Sequence, residues 1–157
     1  MERSVTAQDV VAAFIARGLS VATAESLTAG LVAATLADVP GASGMLRGGV
    51  VSYASEVKAG LLGVAESLLA EAGSVDPEVA RQMAVGARAA CGADYGVSTT
   101  GVAGPEPHDG KPVGTVFVGI AGPQGSDVRE FRFSGTRAEI REAARDAALA
   151  ALWTALT

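Results

Sequence analysis

The chain is poor in the residues that most often carry chemistry. Its 157 residues include one histidine and one cysteine, and only Lys58 and Lys111 of its 12 basic residues are lysine. A lone cysteine, Cys91, excludes an internal disulfide and gives no sign of an oxidising compartment. Its position on the apolar side of a helical pattern reads as a small buried hydrophobe. With His108 the sole imidazole and no acidic cluster at ligand spacing, no metal site is expected; His108 reads as a solvated loop residue. Basic residues are outnumbered, 12 against 17 acidic, for a net charge of −5. That balance argues against a broad nucleic-acid footprint, because neutralising phosphates needs clustered Lys and Arg. No run approaches the roughly 18 apolar residues of a membrane span, and MERSVTAQDV lacks a basic stretch followed by an apolar one. Together these absences predict a soluble, cytoplasmic protein.

Hydrophobic residues make up 49% of the chain and charged residues 18%, as in a packed globule. The length suits one domain over residues 1–157. Apolar periodicity and Gly/Pro punctuation predict a helix over 7–17, with a Thr6/Asp9 capping box and a stripe of Val10, Val11, Phe14 and Ile15. A strand over 19–25 follows, then a helix from about Thr28 to Ala37. GGVVSYAS (48–55) reads as a strand and Ser55 opens a short helix that ends at Gly63. Asp76–Pro77 is a strong helix start, and the helix it opens turns Val79, Met83, Ala87 and Cys91 inward. ADYGVSTTG (93–101) is a third strand. VGTVFVGIAG and DVREFRFSG, separated by Pro123–Ser126, suggest an antiparallel hairpin. A final helix starts at Thr136 with a capping box completed by Glu139. Strands separated by helices indicate an α/β layered sandwich, and the hairpin makes its sheet mixed.

Glycine supplies 20 residues, gathered in 41–49 and 101–114 at predicted strand ends. Ligands of α/β sheets bind at such ends, where glycine lets backbone N–H groups come close. The familiar nucleotide motifs are missing. Gly104–Lys111 has five residues between its glycines where a P-loop has four, and Pro112 stands where a magnesium-binding hydroxyl is needed. No GxGxxG opens a strand–helix unit.

Hydrolytic chemistry without histidine needs another base, and lysine can serve if burial keeps part of it neutral. Lys58 follows a predicted buried strand that ends at Tyr53. The Tyr-x-x-x-Lys spacing of short-chain dehydrogenases does not fit, since four residues separate Tyr53 from Lys58. Ser26, in TAESLTAGL, supports two readings: a hydroxyl beside unpaired N–H groups suited to an oxyanion, or a cap that Ser26 or Thr28 provides for the next helix.

Three separated stretches, TAESLTAGLVAATLADVPGAS, GGVVSYASEVKAGLLGV and STTGVAGP…KPVGTVFVGIAG, with FSGTRAEIREAA at the end, resemble the CinA C-terminal domain, or nicotinamide-nucleotide amidase, family over nearly the whole chain in the same order. The resemblance implies a three-layer α/β/α fold around a mixed, five-stranded sheet. It also implies hydrolysis of the carboxamide of nicotinamide mononucleotide to nicotinate mononucleotide and ammonia, without metal or organic cofactor, in a homo-oligomer. By this resemblance Ser26 is the nucleophile, Lys58 the base and Tyr53 a supporting group. Glu25, Thr28, Thr100, Gly101, Ala103 and Gly104 line or shape the substrate site. The substrate phosphate needs N–H donors or cations, for which the glycine loops, Arg47, Arg137 and Arg141 are candidates. Ala29 stands where the family commonly has glycine, which matters only if that backbone needs a positive φ. Ala54 and Val57 also depart from the usual residues, as does EPHDG. Many CinA proteins carry a preceding pyrophosphatase domain; 157 residues leave no room for one, and its activities are not carried over. The rival readings are a catalytically silent nucleotide-binding or assembly module of the same fold and an amidase for another small carboxamide.

Overall fold

Residues 4–157 are described by a computed structural model; the first three residues of the N-terminal stretch lie outside them. In chain order the elements are α1 (Ala7–Arg17), β1 (Val21–Glu25), α2 (Leu31–Ala37), β2 (Leu46–Val51), α3 (Ser55–Leu62), α4 (Glu66–Ala72), α5 (Pro77–Cys91), β3 (Tyr95–Gly101), β4 (Thr115–Gly122), β5 (Gly125–Arg132) and α6 (Arg137–Ala155). The five strands form one mixed sheet in the order β2-β1-β3-β4-β5. β1 runs parallel to β2 and β3, while β4 and β5 continue the sheet antiparallel. Helices cover both faces, giving the expected α/β/α sandwich.

The strands divide their side chains between two cores, as the two-residue period of a pleated sheet requires. Val116 and Val118 of β4 join Phe14, Leu36, Ile140 and Leu152 under α1, α2 and α6. Phe117, between them, faces Val75 and Ala80 on the α5 side, beside Met83, Ala87 and Leu62. α5 lies very close to the sheet, because β3 and β4 present glycine to it: a Cβ at Gly96 or Gly119 would collide with the carbonyl of Ala84 or Ala80. Between those glycines the Ser98 hydroxyl donates to the Ala80 carbonyl (2.6 Å) and accepts from the Gly119 amide (3.1 Å).

Both expected capping boxes form, at Thr6/Asp9 and Thr136/Glu139, and Asp76 caps α5 by accepting from the amides of Glu78 and Val79. Other expectations need correction. Ile15 is exposed, lying over the Gly41–Gly44 loop outside the α1 stripe. Cys91 is only half-buried, because it ends α5 at the margin of the second core. α2 starts at Leu31 and β2 stops at Val51, which leaves 26–30 and 52–54 as loops over the same edge of the sheet.

Candidate active site

The carboxyl ends of β1, β2 and β3 lie side by side. The chain leaving β1 enters α2 in the first helical layer, while that leaving β2 enters α3, which packs with α5 in the second. Connections that part to opposite faces open a crevice between them. Ser26 is the first residue past β1, Lys58 lies on the first turn of α3, Gly101 ends β3 and 102–104 follow it.

The turn after β1 is built around a buried carboxylate. Glu25 is 1% exposed. Its Oε1 accepts from the Thr28 hydroxyl (2.6 Å) and the amides of Gly30 (3.2 Å) and Val32 (2.8 Å), and its Oε2 from the amide of Ala33 (3.0 Å). The start of α2 is therefore satisfied by Glu25. Neither Ser26 nor Thr28 is its cap: the N-cap position is Gly30, with no side-chain bond of its own. The Thr28 hydroxyl also lies 2.7 Å from that of Thr99 on β3, and the Ser26 amide donates to the Thr99 carbonyl. Ser26 is thus pinned through its main chain and its hydroxyl is left for other work. Ala29 has φ 48°, the left-handed region that costs an L-residue about 1–2 kcal/mol, so this departure from glycine falls where it matters.

Lys58 is fully buried. Its Nζ is 3.0 Å from Ser26 Oγ, 2.6 Å from the Ser52 carbonyl and 3.3 Å from the Tyr53 carbonyl. Burial pulls its pKa down from 10.5 to about 8, against the nearby Asp109 carboxylate, which raises it. A neutral amine has two N–H donors and one lone pair. As an ammonium, Nζ donates to the two carbonyls and the hydroxyl; once neutral, its two N–H groups can stay on the carbonyls while its lone pair meets the Ser26 hydroxyl.

Ser26 opens into a cleft of about 320 Å³, shared with Tyr53, Ser74, Ala103, Gly104 and Arg137 among others. Leu27 also lines it, although its side chain lies in the core, so its main chain faces the cleft. The amides of Leu27 and Thr28, and of Ala103 and Gly104 across from them, carry no hydrogen bond within the described residues. The Ser26 amide is not such a donor, being taken by Thr99. No group of His, Cys, Asp or Glu among the described residues could hold a metal.

The model of the CinA C-terminal domain matches residues 3–156. The chain belongs to the CinA C-terminal domain family. A CinA-like protein of Frankia casuarinae is 53% identical over 132 residues; the match covers 84% of this chain but 30% of that protein, so the chain spans under a third of that relative's length. Among solved structures, a competence/damage inducible protein from Agrobacterium tumefaciens superposes with a TM-score of 0.91 at 37% identity, covering 96% of this chain and 92% of that one. A CinA superfamily protein from Klebsiella pneumoniae gives 0.92 at 33%, covering 96% and 94%.

Of the residues matched to the CinA pattern, Ser26 and Lys58 meet directly, and Gly101, Ala103 and Gly104 line the cleft. Glu25, Thr28 and Thr100 do not reach its surface. All are buried, and Thr100 spends its hydroxyl on the Ser74 carbonyl at 2.7 Å; these three shape the walls from behind. Tyr53 is 56% exposed and touches Lys58 through its carbonyl, while its hydroxyl accepts from Arg137 at 2.9 Å. Among the candidate arginines only Arg137 lines the cleft. Arg141 donates to the Leu27 and Thr28 carbonyls, bracing the Ser26 turn, and Arg47 donates to the Cys91 carbonyl. Sequence reasoning missed Ser74 and Asp109. Asp109 accepts from the amide (2.9 Å) and hydroxyl (3.0 Å) of Ser74, a contact 35 residues distant with no local signature. His108 does line the cleft, exposed at its rim. No helix among the described residues is long and apolar enough to cross a membrane.

Proposed function

We propose that the protein deamidates nicotinamide mononucleotide to nicotinate mononucleotide and ammonia through a Ser26–Lys58 dyad. The observation that carries this reading is the buried Lys58 amine, its pKa brought down to about 8, set 3.0 Å from Ser26 Oγ at the end of an open cleft. Family membership supports the choice of a carboxamide.

Neutral Lys58 takes the Ser26 proton as Oγ bonds to the amide carbon, and the carbonyl π pair moves onto oxygen. The free amides of Leu27 and of Ala103–Gly104 supply donors for that oxyanion. The ammonium of Lys58 then gives its proton to the departing nitrogen, the C–N bond breaks, and ammonia leaves an acyl-serine. Water attacks the ester, losing a proton to Lys58, which returns one to Ser26 as the acid departs. Glu25 acts by fixing the turn, and the carbonyls of Ser52 and Tyr53 orient the amine.

Ammonia release from nicotinamide mononucleotide, compared with free nicotinamide, tests the reading. Turnover of the nucleotide by wild type, lost in folded Ser26→Ala and Lys58→Ala, supports it. Preference for free nicotinamide would identify another carboxamide substrate, and no release at all a silent module.

A further inference from the structure

The turn that carries Ser26 is tied to the sheet by one residue of β3. Thr99 sits beside Glu25 in the parallel pairing of β1 with β3 and is 1% exposed. Its carbonyl accepts from the Ser26 amide at 3.0 Å, and its hydroxyl lies 2.7 Å from that of Thr28. Counting protons gives the direction of the second bond. A hydroxyl has one proton and a carboxylate none. The Thr28 proton goes to Glu25 Oε1 at 2.6 Å, an oxygen that also accepts from the amides of Gly30 and Val32. Thr28 therefore accepts from Thr99, and the donors run from Thr99 through Thr28 to Glu25. Neighbouring Thr100 takes no part, because successive strand residues face opposite sides of a sheet and its hydroxyl goes to the Ser74 carbonyl. The hydrogen bonds of the Lys58 amine go to Ser26, Ser52 and Tyr53, and none involves Thr99.

We infer that Thr99 is a positioning residue for the nucleophile, holding the Ser26–Thr28 turn to β3 at both ends so that Ser26 Oγ and the free Leu27 amide keep one geometry through the reaction. This role rests on the Ser26–Lys58 reading. Thr99 occupies the Ser26 amide with its own carbonyl, so oxyanion stabilisation on this side of the cleft falls to Leu27, one residue on. A fixed donor works only from the right place, and a displacement of about 1 Å costs about 100-fold in rate. Arg141 braces the carbonyls of Leu27 and Thr28 from α6; Thr99 holds the opposite side of the turn from the sheet. Removing its hydroxyl leaves a buried acceptor on Thr28 unfilled and lets the turn shift. Thr99 acts through Ser26 and Leu27 and touches neither the base nor the cleft.

Substitution at this position leaves the Thr99 carbonyl in place, so it reads the hydroxyl alone. Thr99→Val, close in shape, is expected to lower kcat for nicotinamide mononucleotide roughly 10- to 100-fold per folded molecule, with KM changed by less than about threefold. The rising limb of its pH–rate profile stays at the wild-type position, since Lys58 keeps all its partners. Thr99→Ser, which keeps the donor, recovers most of kcat. Thr99→Cys, a weaker donor, gives an intermediate value and replaces the valine variant if that one does not fold. Thr35→Val, which loses a half-buried hydroxyl bond to the Leu31 carbonyl on α2, keeps the wild-type kcat. Unchanged kcat in folded Thr99→Val overturns the inference, as does a defect confined to KM, a displaced limb, or a serine variant as poor as the valine one. If wild type releases no ammonia, the amidase reading has failed separately, and labelling by a fluorophosphonate ester decides the positioning role. In that reaction Ser26 Oγ bonds to phosphorus, fluoride leaves and the hydroxyl proton passes to Lys58; intact mass follows the rate, and Ser26→Ala serves as the blank. Labelling slowed in Thr99→Val and restored in Thr99→Ser supports the inference, while equal rates, or no labelling of wild type, overturn it.

Discussion

Lys58 is closed off from solvent with three protein partners around its amine; Tyr53 and Arg137, in the cleft onto which Ser26 opens, are exposed. Lys58 is wholly enclosed, whereas Tyr53 is 56% exposed. The contrast fits the base proposed for Lys58. A lysine becomes a base near neutral pH only if desolvation raises the cost of its ammonium form.

The largest effect expected from breaking this contrast lies on the enclosed side. Ser26→Ala and Lys58→Met should each lower kcat by roughly 10⁴-fold or more, since members of a nucleophile–base pair fail together; single-turnover ammonia release reads it. Lys58→Arg should rescue nothing, because a guanidinium does not give up its proton.

Glu25→Ala comes next and acts on stability. It removes one acceptor from three buried or half-buried amides and a threonine hydroxyl, at a cost of about 2–4 kcal/mol. Denaturant midpoints report the loss, and kcat falls with it if the turn positions Ser26.

The pH dependence gives a milder test. In the proposed dyad the active form of Lys58 is the neutral amine, so kcat/KM should rise with pH and level off above about 8, the pKa to which burial brings it. Below that value it falls about tenfold per pH unit. Asp109 raises the Lys58 pKa through its charge, so Asp109→Asn should move the rising limb to lower pH. A limb that stays put in Asp109→Asn, or one lying near 10.5, would show that the enclosed end is wetter than its geometry indicates.

The smallest effect is local. Ala29, at φ 48° in the turn beside Ser26, should gain stability on Ala29→Gly by up to about 1 kcal/mol as left-handed strain is released. Thermal melts check the shift, and unchanged kcat would show that the strain is not used in catalysis.

Much of this was legible from sequence, and the pieces that were not share a cause. The capping boxes at Thr6 and Thr136, the Asp76–Pro77 helix start and the antiparallel hairpin are local patterns, and each formed as the residues indicated. The AES stretch was ambiguous because a serine after a strand suits a cap as well as a nucleophile. Only the position of Glu25, whose carboxylate reaches seven and eight residues ahead to Val32 and Ala33, removes the capping role from Ser26. The boundaries of β2 were misplaced because the sheet runs out at Val51, where β1 gives way to a turn.

Sequence by itself determined the order of strands and helices, the mixed character of the sheet, and the scarcity that made Lys58 the base to consider. Periodicity, caps and composition act over a few residues and are written in the chain. The tertiary structure decided which groups share a space: Lys58 with Ser26 across 32 residues, Arg137 with Tyr53 across 84. Those encounters depend on parallel strands ending at one edge with their connections parting to opposite faces, and on the burial that follows. Neither leaves a mark at any single position of the sequence, because desolvation belongs to the packed neighbours and not to the residue.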